Sequence, residues 1–414
     1  MNLQVVKKKL REEVLINKRG GRNKIHVIAH RLVALSFKVI AGLILSTFLG
    51  PISLFCSIEI WLMKLGPDKA SHFIDGIDKH LLRLDSLQKH GPTINIVIWP
   101  QKFPNEALAK MYRRAFYIIG PRQKMLARVL PFVIWKVLVR KHEVNTIIRK
   151  GSFDIQLKSP SIRLSVAEEK LGNEIMDNGK EFVLFGYPSS EYRKMVDQKW
   201  HSDDDLETQI PNPVSFLPII RNLAERNIAF VAQSHTGEHD PELLSAGMII
   251  PRQISTQPGL TDVWLASKCK FLISACTGSW WFGVPFRKAA VITDRYTPIG
   301  LQPWHNVIAI HQLAWLVKEK RFASFGWMSE NYRWCFDKRR LGVDYVIVKN
   351  SPEQIIDVVE EQIARMNGTW IETADDFELQ ERFNKDVLGL SSNFSYLPRI
   401  GAKFLREHRH LLPD

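Results

Sequence analysis

Asp262–Pro303 reads DVWLASKCKFLISACTGSWWFGVPFRKAAVITDRYTPIGLQP, and its punctuation sets the class of fold. Thr261 is placed to cap a helix that runs to Lys268 and carries Val263, Trp264 and Leu265. Lys270–Ser274 (KFLIS) is a short apolar run of strand type. The small residues Ala275-Cys276-Thr277-Gly278-Ser279 then make a turn that opens a short helix, and Ala289–Thr293 (AAVIT) is the next strand. Strands that alternate with helices in this way imply a parallel sheet wrapped by helices.

The same alternation extends outward. Val214–Ala224 has Phe216, Leu217, Ile220 and Leu223 on one helical face, and Asn227 ends it. Ile228–Ala232 and Gly247–Ile250 read as strands. Phe182–Phe185 is a buried-type strand closed by the turn Gly186-Tyr187-Pro188. Further upstream, Ile94–Trp99 is a strand, Asn105–Ile118 has helical spacing, and Ser152–Val166 reads as one or two exposed strands. Residues 193–211 are polar and include Asp203-Asp204-Asp205, which places a domain boundary there. Downstream, Ser351-Pro352-Glu353-Gln354 combines a Ser N-cap, Pro at N1 and Gln at N3, the signature of a capping box. Two such units joined by a polar crossover suggest two facing α/β domains.

Charge is concentrated at the start. The 414 residues carry a formal net charge of +14. Residues 1–38 hold ten Lys or Arg against Glu12 and Glu13, so this basic arm supplies most of the excess. Such an arm suits nucleic acid or anionic lipid headgroups. Val39–Ile58 follows, twenty residues without a charge, about one hydrocarbon thickness if helical. It is either a buried core helix or a membrane contact; the basic flank and the apolar run reinforce each other, which favours the membrane, and the apolar run decides against nucleic acid as the arm's partner. Gly50-Pro51 mid-run and basic residues on both flanks point to a kinked or in-plane element rather than a simple span. Arg122–Lys141 is a second amphipathic stretch, equally compatible with a membrane surface and with a core helix.

Several classes of chemistry lack support. Cys56, Cys269, Cys276 and Cys335 are too scattered for a disulfide framework or zinc spacing. GxxxxGK[ST], GxGxxG and GxSxG are all absent. Asp203-x-Asp205 follows a polar stretch rather than an apolar strand, which reads as a solvated loop. Open α/β sheets bind ligands beyond the carboxyl ends of their strands. Three such ends stand out: Gln233-Ser234-His235, Cys276-Thr277-Gly278-Ser279 and Thr293-Asp294-Arg295 through Thr297. In the second, a small polar turn opening a helix offers main-chain N–H groups to phosphate, with Trp280 or Trp281 able to stack on a flat ring; a plain capped turn is the other reading. His235, His305 and His311 are candidates for acid–base work.

Taken together, Trp264, Phe271–Ser274, Cys276-Thr277-Gly278, Gly283-Val284-Pro285, Ala290–Thr293, Thr297-Pro298-Ile299-Gly300 and Pro303-Trp304 form an ordered series. It resembles the glycosyltransferases of bacterial surface-polysaccharide (O-antigen and capsule) clusters. Phe216–Ile220, Asn105–Arg113 and Arg399–Arg406 fit the same pattern, so the resemblance covers roughly residues 93–410. It implies a GT-B-like fold: two Rossmann-like domains facing across a cleft, after an N-terminal membrane-associated helical segment. The implied division is a basic arm (1–38), an apolar membrane segment (39–64), an acceptor domain (65–200), a donor domain (201–350) and helices that pack back on the domains (351–414). The expected activity is metal-independent transfer of a sugar from a nucleotide-sugar to a lipid-linked or surface glycan, with no bound cofactor. The expected location is the cytoplasmic face of the bacterial inner membrane, in contact with its anionic lipids. Gln233, Ser234, Thr277, Gly278, Ser279, Asp294 and Thr297 are expected to hold the donor, and His235 or Glu191 to act as base. One departure stands out. Where relatives read H-x-R-D-S-x-Y, this chain has Gly186, Pro188 and Ser189 in place of His, Arg and Asp; Arg295 or Lys102 is then the candidate charge partner. A non-catalytic, glycan-binding relative is the alternative.

Overall fold

The computed structural model describes residues 57–62, 93–98, 103–114, 117–119, 139–141, 160–176, 180–188, 210–233, 240–254, 256–257, 259–275, 277–296, 306–331, 343–389 and 399–413, with single positions at 33, 36, 37, 40, 47, 70, 71, 73–75 and 77. The chain divides into two compact units. The first takes 1–68, 88–104 and 112–149; the second takes 69–87, 105–111 and 150–414.

In the first unit, β1 (Ser57–Leu62), β2 (Thr93–Ile98), β3 (Tyr117–Ile119) and β4 (Val139–Lys141) form one sheet in the order β3-β2-β1-β4. All three pairings are parallel, with Ser57 opposite Thr93 and Ile58 opposite Val139. This corrects the reading of residues 39–64. Their end, Ser57–Leu62, is a sheet strand whose backbone pairs on both sides, so it is not part of an apolar helix. Val33 and Phe37 of the basic arm and Ile40 at the start of the apolar segment are helical and exposed. Among the described residues no helix is long and apolar enough to cross a membrane. The amphipathic stretch 122–141 likewise ends in β4, and its residues 122–138 lie outside the described residues.

The second unit is built on six parallel strands. Its elements are α1 (Glu106–Tyr112, whose last residue falls in the first unit), α2 (Val166–Gly172), β5 (Phe182–Gly186), a 3-10 turn (Pro213–Phe216), α3 (Leu217–Glu225), β6 (Ala229–Ala232), α4 (Pro241–Ser245), α5 (Leu260–Lys268), β7 (Leu272–Ala275), a 3-10 helix (Ser279–Phe286), β8 (Ala290–Arg295) and β9 (Val307–His311). There follow β10 (Leu313–Leu316), β11 (Arg321–Phe322), α6 (Phe325–Glu330), β12 (Tyr345–Val348), α7 (Pro352–Met366), α8 (Ala374–Arg382), a π turn (Phe383–Val387), β13 (Arg399–Ile400) and α9 (Ala402–Glu407). The large sheet runs β13-β9-β8-β7-β5-β6, and Ile249 adds a parallel bridge to Val231 of β6. Counted from β5, with Ile249 as third member, the order is 3-2-1-4-5-6, that of doubly wound nucleotide-binding sheets, with β13 appended. β5, β7 and β9 are buried along their whole length, as a sheet covered on both faces requires. α7 packs on β8, β9 and α3, and the 279–286 helix lies on β7 and β8.

Several boundaries differ from the sequence reading. β5 lies between β6 and β7, so Phe182–Gly186 belongs to the later sheet and the unit starts well before residue 201. The β-propensity of 152–166 misleads at its end. Ser165 and Glu168 form a reciprocal capping box that starts α2 at Val166, and 160–165 contains no strand. The Asn105 helix stops at Tyr112, and Tyr117–Ile119 is a strand. Gly247–Ile250 provides a single bridge rather than a strand. Thr261 lies inside α5, after Gly259 in the left-handed conformation, and its hydroxyl accepts from the Ile254 N–H. The Ser351 capping box, by contrast, forms as read. The C-terminal helices stay in the second unit. Glu361 accepts the Ala402 N–H, Gln380 accepts the Ile400 N–H, and together they hold β13 at the sheet edge.

Candidate functional site

Strand order in the large sheet reverses between β5 and β7, and ligands of open α/β sheets bind outside the carboxyl ends of such a pair. Those ends are Gly186 and the Thr277-Gly278-Ser279 turn. The Ser274 hydroxyl at the end of β7 donates to the Thr277 carbonyl at 2.8 Å. In a trans peptide the carbonyl and the next N–H point in opposite directions. Drawing Thr277 C=O onto Ser274 therefore turns the Gly278 N–H away from the sheet, and Gly278 is exposed while Thr277 is half-buried. Behind the turn, the Ser279 hydroxyl lies 2.8 Å from Ser274 Oγ and 3.4 Å from the Gly186 carbonyl.

The expected ligand residues thus separate. Thr277 and Gly278 lie at the surface of the switch point. Ser279 does not: its side chain is buried and holds the turn from beneath, because Ser274 and Gly186 supply its partners. Gln233 is also wholly buried, its side-chain oxygen 2.8 Å from where a Cβ on Gly186 would stand. Both side chains are enclosed by the chain. The helix that the turn opens is a 3-10 helix containing Pro285, and Trp280 and Trp281 stack on each other at 4.5 Å. His235, Ser234, Glu191, Thr297, His305, Lys102 and Asp203–Asp205 lie outside the described residues. Sequence reasoning missed Ser71. It comes from a helical stretch 207 residues upstream and sits so close that a Cβ on Gly278 would be 3.1 Å from its Cβ. No local pattern could have paired the two.

Gly186 has a steric reason. Any side chain there would overlap Ser279 Oγ and Cβ.

Asp294 is the other correction. It sits at an irregularity of the β8–β9 ladder with φ +49° and is buried. Its carboxylate accepts the Asn350 N–H at 2.7 Å, and its own N–H donates to Asn350 Oδ1 at 2.6 Å. The Asn350 amide also donates to the His311 carbonyl at 2.9 Å. Asp294 therefore ties the ends of β8 and β9 to the start of α7 instead of facing a ligand. Burial pushes its carboxyl up to about 6, against the pull of the Asn350 N–H and Lys349. Burial and the Arg295 charge push His311 down to about 3, so this ring is neutral between Phe383 and Phe325, not an acid–base group. Among the described residues no group of His, Cys, Asp and Glu could hold a metal ion.

No protein-family model and no curated protein matches the sequence. Among solved structures, the chain is similar to the glycosyl transferase family 9 protein of Veillonella parvula, at 11% identity and a TM-score of 0.40, over 75% of this chain and 97% of that one. It is similar to the ADP-heptose LPS heptosyltransferase II of E. coli at 11% identity and 0.35, over 62% and 90%. An E. coli heptosyltransferase bound to ADP-2-deoxy-2-fluoro heptose gives 10% and 0.33, over 61% and 92%.

Two outcomes follow from this geometry. Gly186→Ala should destabilise the protein by about 1–3 kcal/mol in urea denaturation, as overpacking does. Adding Ser279→Gly should recover part of that loss, with Gln233 Oε1 still 2.8 Å from the new Cβ, and no recovery would mean the clash lies elsewhere. The second concerns pH. Folded Asp294 holds its proton between its ordinary 3.8 and about 6, so the stability it contributes below pH 4 is lost as pH rises through 6. His311 works in the opposite sense: its contribution is full above 6.5 and is lost as pH falls toward 3. Asp294→Asn keeps the acceptor and tolerates the positive φ. Thermal melts across pH 4–7 should show the variant gaining on the parent by about 3 kcal/mol at the top of the range. Parallel curves would remove Asp294 from the account.

Proposed function

We propose that the chain is a glycosyltransferase that moves a sugar from a nucleotide-activated donor to a lipid-linked or surface glycan in polysaccharide biosynthesis. The observation that carries this reading is the Gly278 N–H, turned outward at the switch point by the bond from Ser274 to the Thr277 carbonyl. A diphosphate is the anion suited to main-chain donors at such a place. The 3-2-1-4-5-6 order and the polysaccharide-cluster resemblance point the same way. In this reading an acceptor hydroxyl attacks the anomeric carbon and its proton passes to a base, His235 or Glu191. The carbon–oxygen bond to the diphosphate breaks, and the N–H groups at Thr277 and Gly278 take up the leaving charge without a metal ion. The basic arm and residues 39–56 hold the enzyme at the cytoplasmic face of the inner membrane, against anionic lipid. The exposed helical Val33, Phe37 and Ile40 support that placement.

One observation favours a second reading. Ser279 occupies the space at Gly186 where relatives carry His, as a chain that binds a nucleotide-sugar or glycan without turning it over would allow. Nucleotide binding with neither sugar transfer nor donor hydrolysis would decide for it.

A thermal-shift panel of ADP-, UDP-, GDP-, CMP- and dTDP-sugars tests the main reading, which expects a shift with at least one. Gly278→Asp should then weaken binding about ten-fold or more beyond Gly278→Ala, because only the carboxylate repels the diphosphate while both variants crowd Ser71. Equal losses would move the anion site away from this turn.

A further inference from the structure

The small antiparallel sheet β11-β10-β12 breaks the usual pattern of such sheets. Trp315 lies opposite both Phe322 and Val346, and Leu313 lies opposite Val348. Residues opposite one another, and residues two apart, share a face. Leu313, Trp315, Val317, Phe322, Val346 and Val348 therefore line one side. Leu313 is the buried member of that side; the other side holds Ala314, Leu316 and Tyr345, all buried, with half-buried Ile347 and exposed Arg321. An antiparallel sheet with one solvated face normally turns polar residues to it. Here that face is apolar: Val317 is 40% exposed, Val346 51% and Val348 41%, with Trp315 and Phe322 half-buried in an edge-on pair at 5.0 Å.

The turn that joins β10 to β11 is of opposite character. Lys318, Glu319, Lys320 and Arg321 are all exposed, a net charge of +2 on four residues directly beyond Val317. Lys320 takes φ +50° in this turn, and because Arg321 pairs opposite Leu316 on the other face, the cations that directly follow Val317 are Lys318 and Lys320. Three strands about 4.8 Å apart and a few residues long offer on the order of 200 Å². A stable protein interface needs about 800 Å² per partner, and lysine is depleted in such interfaces. An apolar face with a tryptophan and adjoining lysines instead matches the boundary of an anionic bilayer, where indole and alkyl groups enter the headgroup layer and cations meet phosphate.

We infer that the β10–β12 face with its Lys318–Arg321 turn is a second membrane-docking surface, specific for anionic lipid. It belongs to the large unit and is separate from the N-terminal segment. It holds whichever reaction the switch point performs.

The test uses the full chain with phosphatidylglycerol vesicles and with phosphatidylcholine vesicles, read by amide hydrogen exchange and by co-sedimentation. The expected result is protection of 313–322 and 345–348 with the anionic vesicles only. Lys318→Ala/Lys320→Ala should weaken vesicle partition about 25-fold, roughly five-fold for each cation, with the melting temperature unchanged because both side chains are exposed. A chain that sediments with vesicles while these segments exchange freely would overturn the inference, as would unchanged partition of the double variant. Protection that grows with protein concentration in the absence of lipid would also overturn it, in favour of contact between copies.

Discussion

The middle strands of the large sheet are covered on both faces, and this constraint organises the polar residues at their carboxyl ends. A strand buried from end to end has no lateral position for a charged or hydroxyl group that must meet solvent. Polar side chains collect at the carboxyl ends, where each is either tied to a neighbour or left at the surface. Ser274 shows the outcome most clearly. It is completely buried at the end of β7, and its one proton fixes the carbonyl of Thr277. That single bond sets which way the next N–H points.

The other strand ends follow the same rule with different results. Gly186 at the end of β5 has no side chain because Ser279 fills the space, and Gln233 closes over it from β6. At the ends of β8 and β9, Asp294 and Asn350 satisfy each other with paired backbone and side-chain bonds, and Asn350 also caps the His311 carbonyl. This second cluster is a brace. It joins two strands to the start of α7; burial keeps the His311 ring neutral and lifts the Asp294 carboxyl to about 6. Among the described residues only the β7 end combines exposure with main-chain donors.

Periodicity and turn chemistry made much of this legible beforehand. KFLIS, AAVIT and FVLF are continuous apolar runs, and each became a buried parallel strand within a residue or two of its expected limits. Ser351-Pro352-x-Gln354 announced α7 because its capping bonds are local. The Ser165–Glu168 capping box was equally legible and was outweighed by the β-branched residues before it. The exposed ends were harder. IEIWL after a charge-free run reads as the tail of an apolar helix, and only its pairing with β2 and β4 shows a strand.

Sequence by itself determined the α/β class, the strands around residues 182–295 and the turn at Thr277-Gly278, because propensity, capping and hydrophobic period act over a few residues. Tertiary structure alone decided the 3-2-1-4-5-6 order and the placing of β5 between β6 and β7. It also decided that Ser71 stands beside Gly278, that Ser279, Gln233 and Asp294 turn inward, and that the β10–β12 face is left apolar. These depend on hydrogen bonds and packing between residues tens to hundreds of positions apart, and no local pattern encodes which distant group will occupy the space beside a given atom.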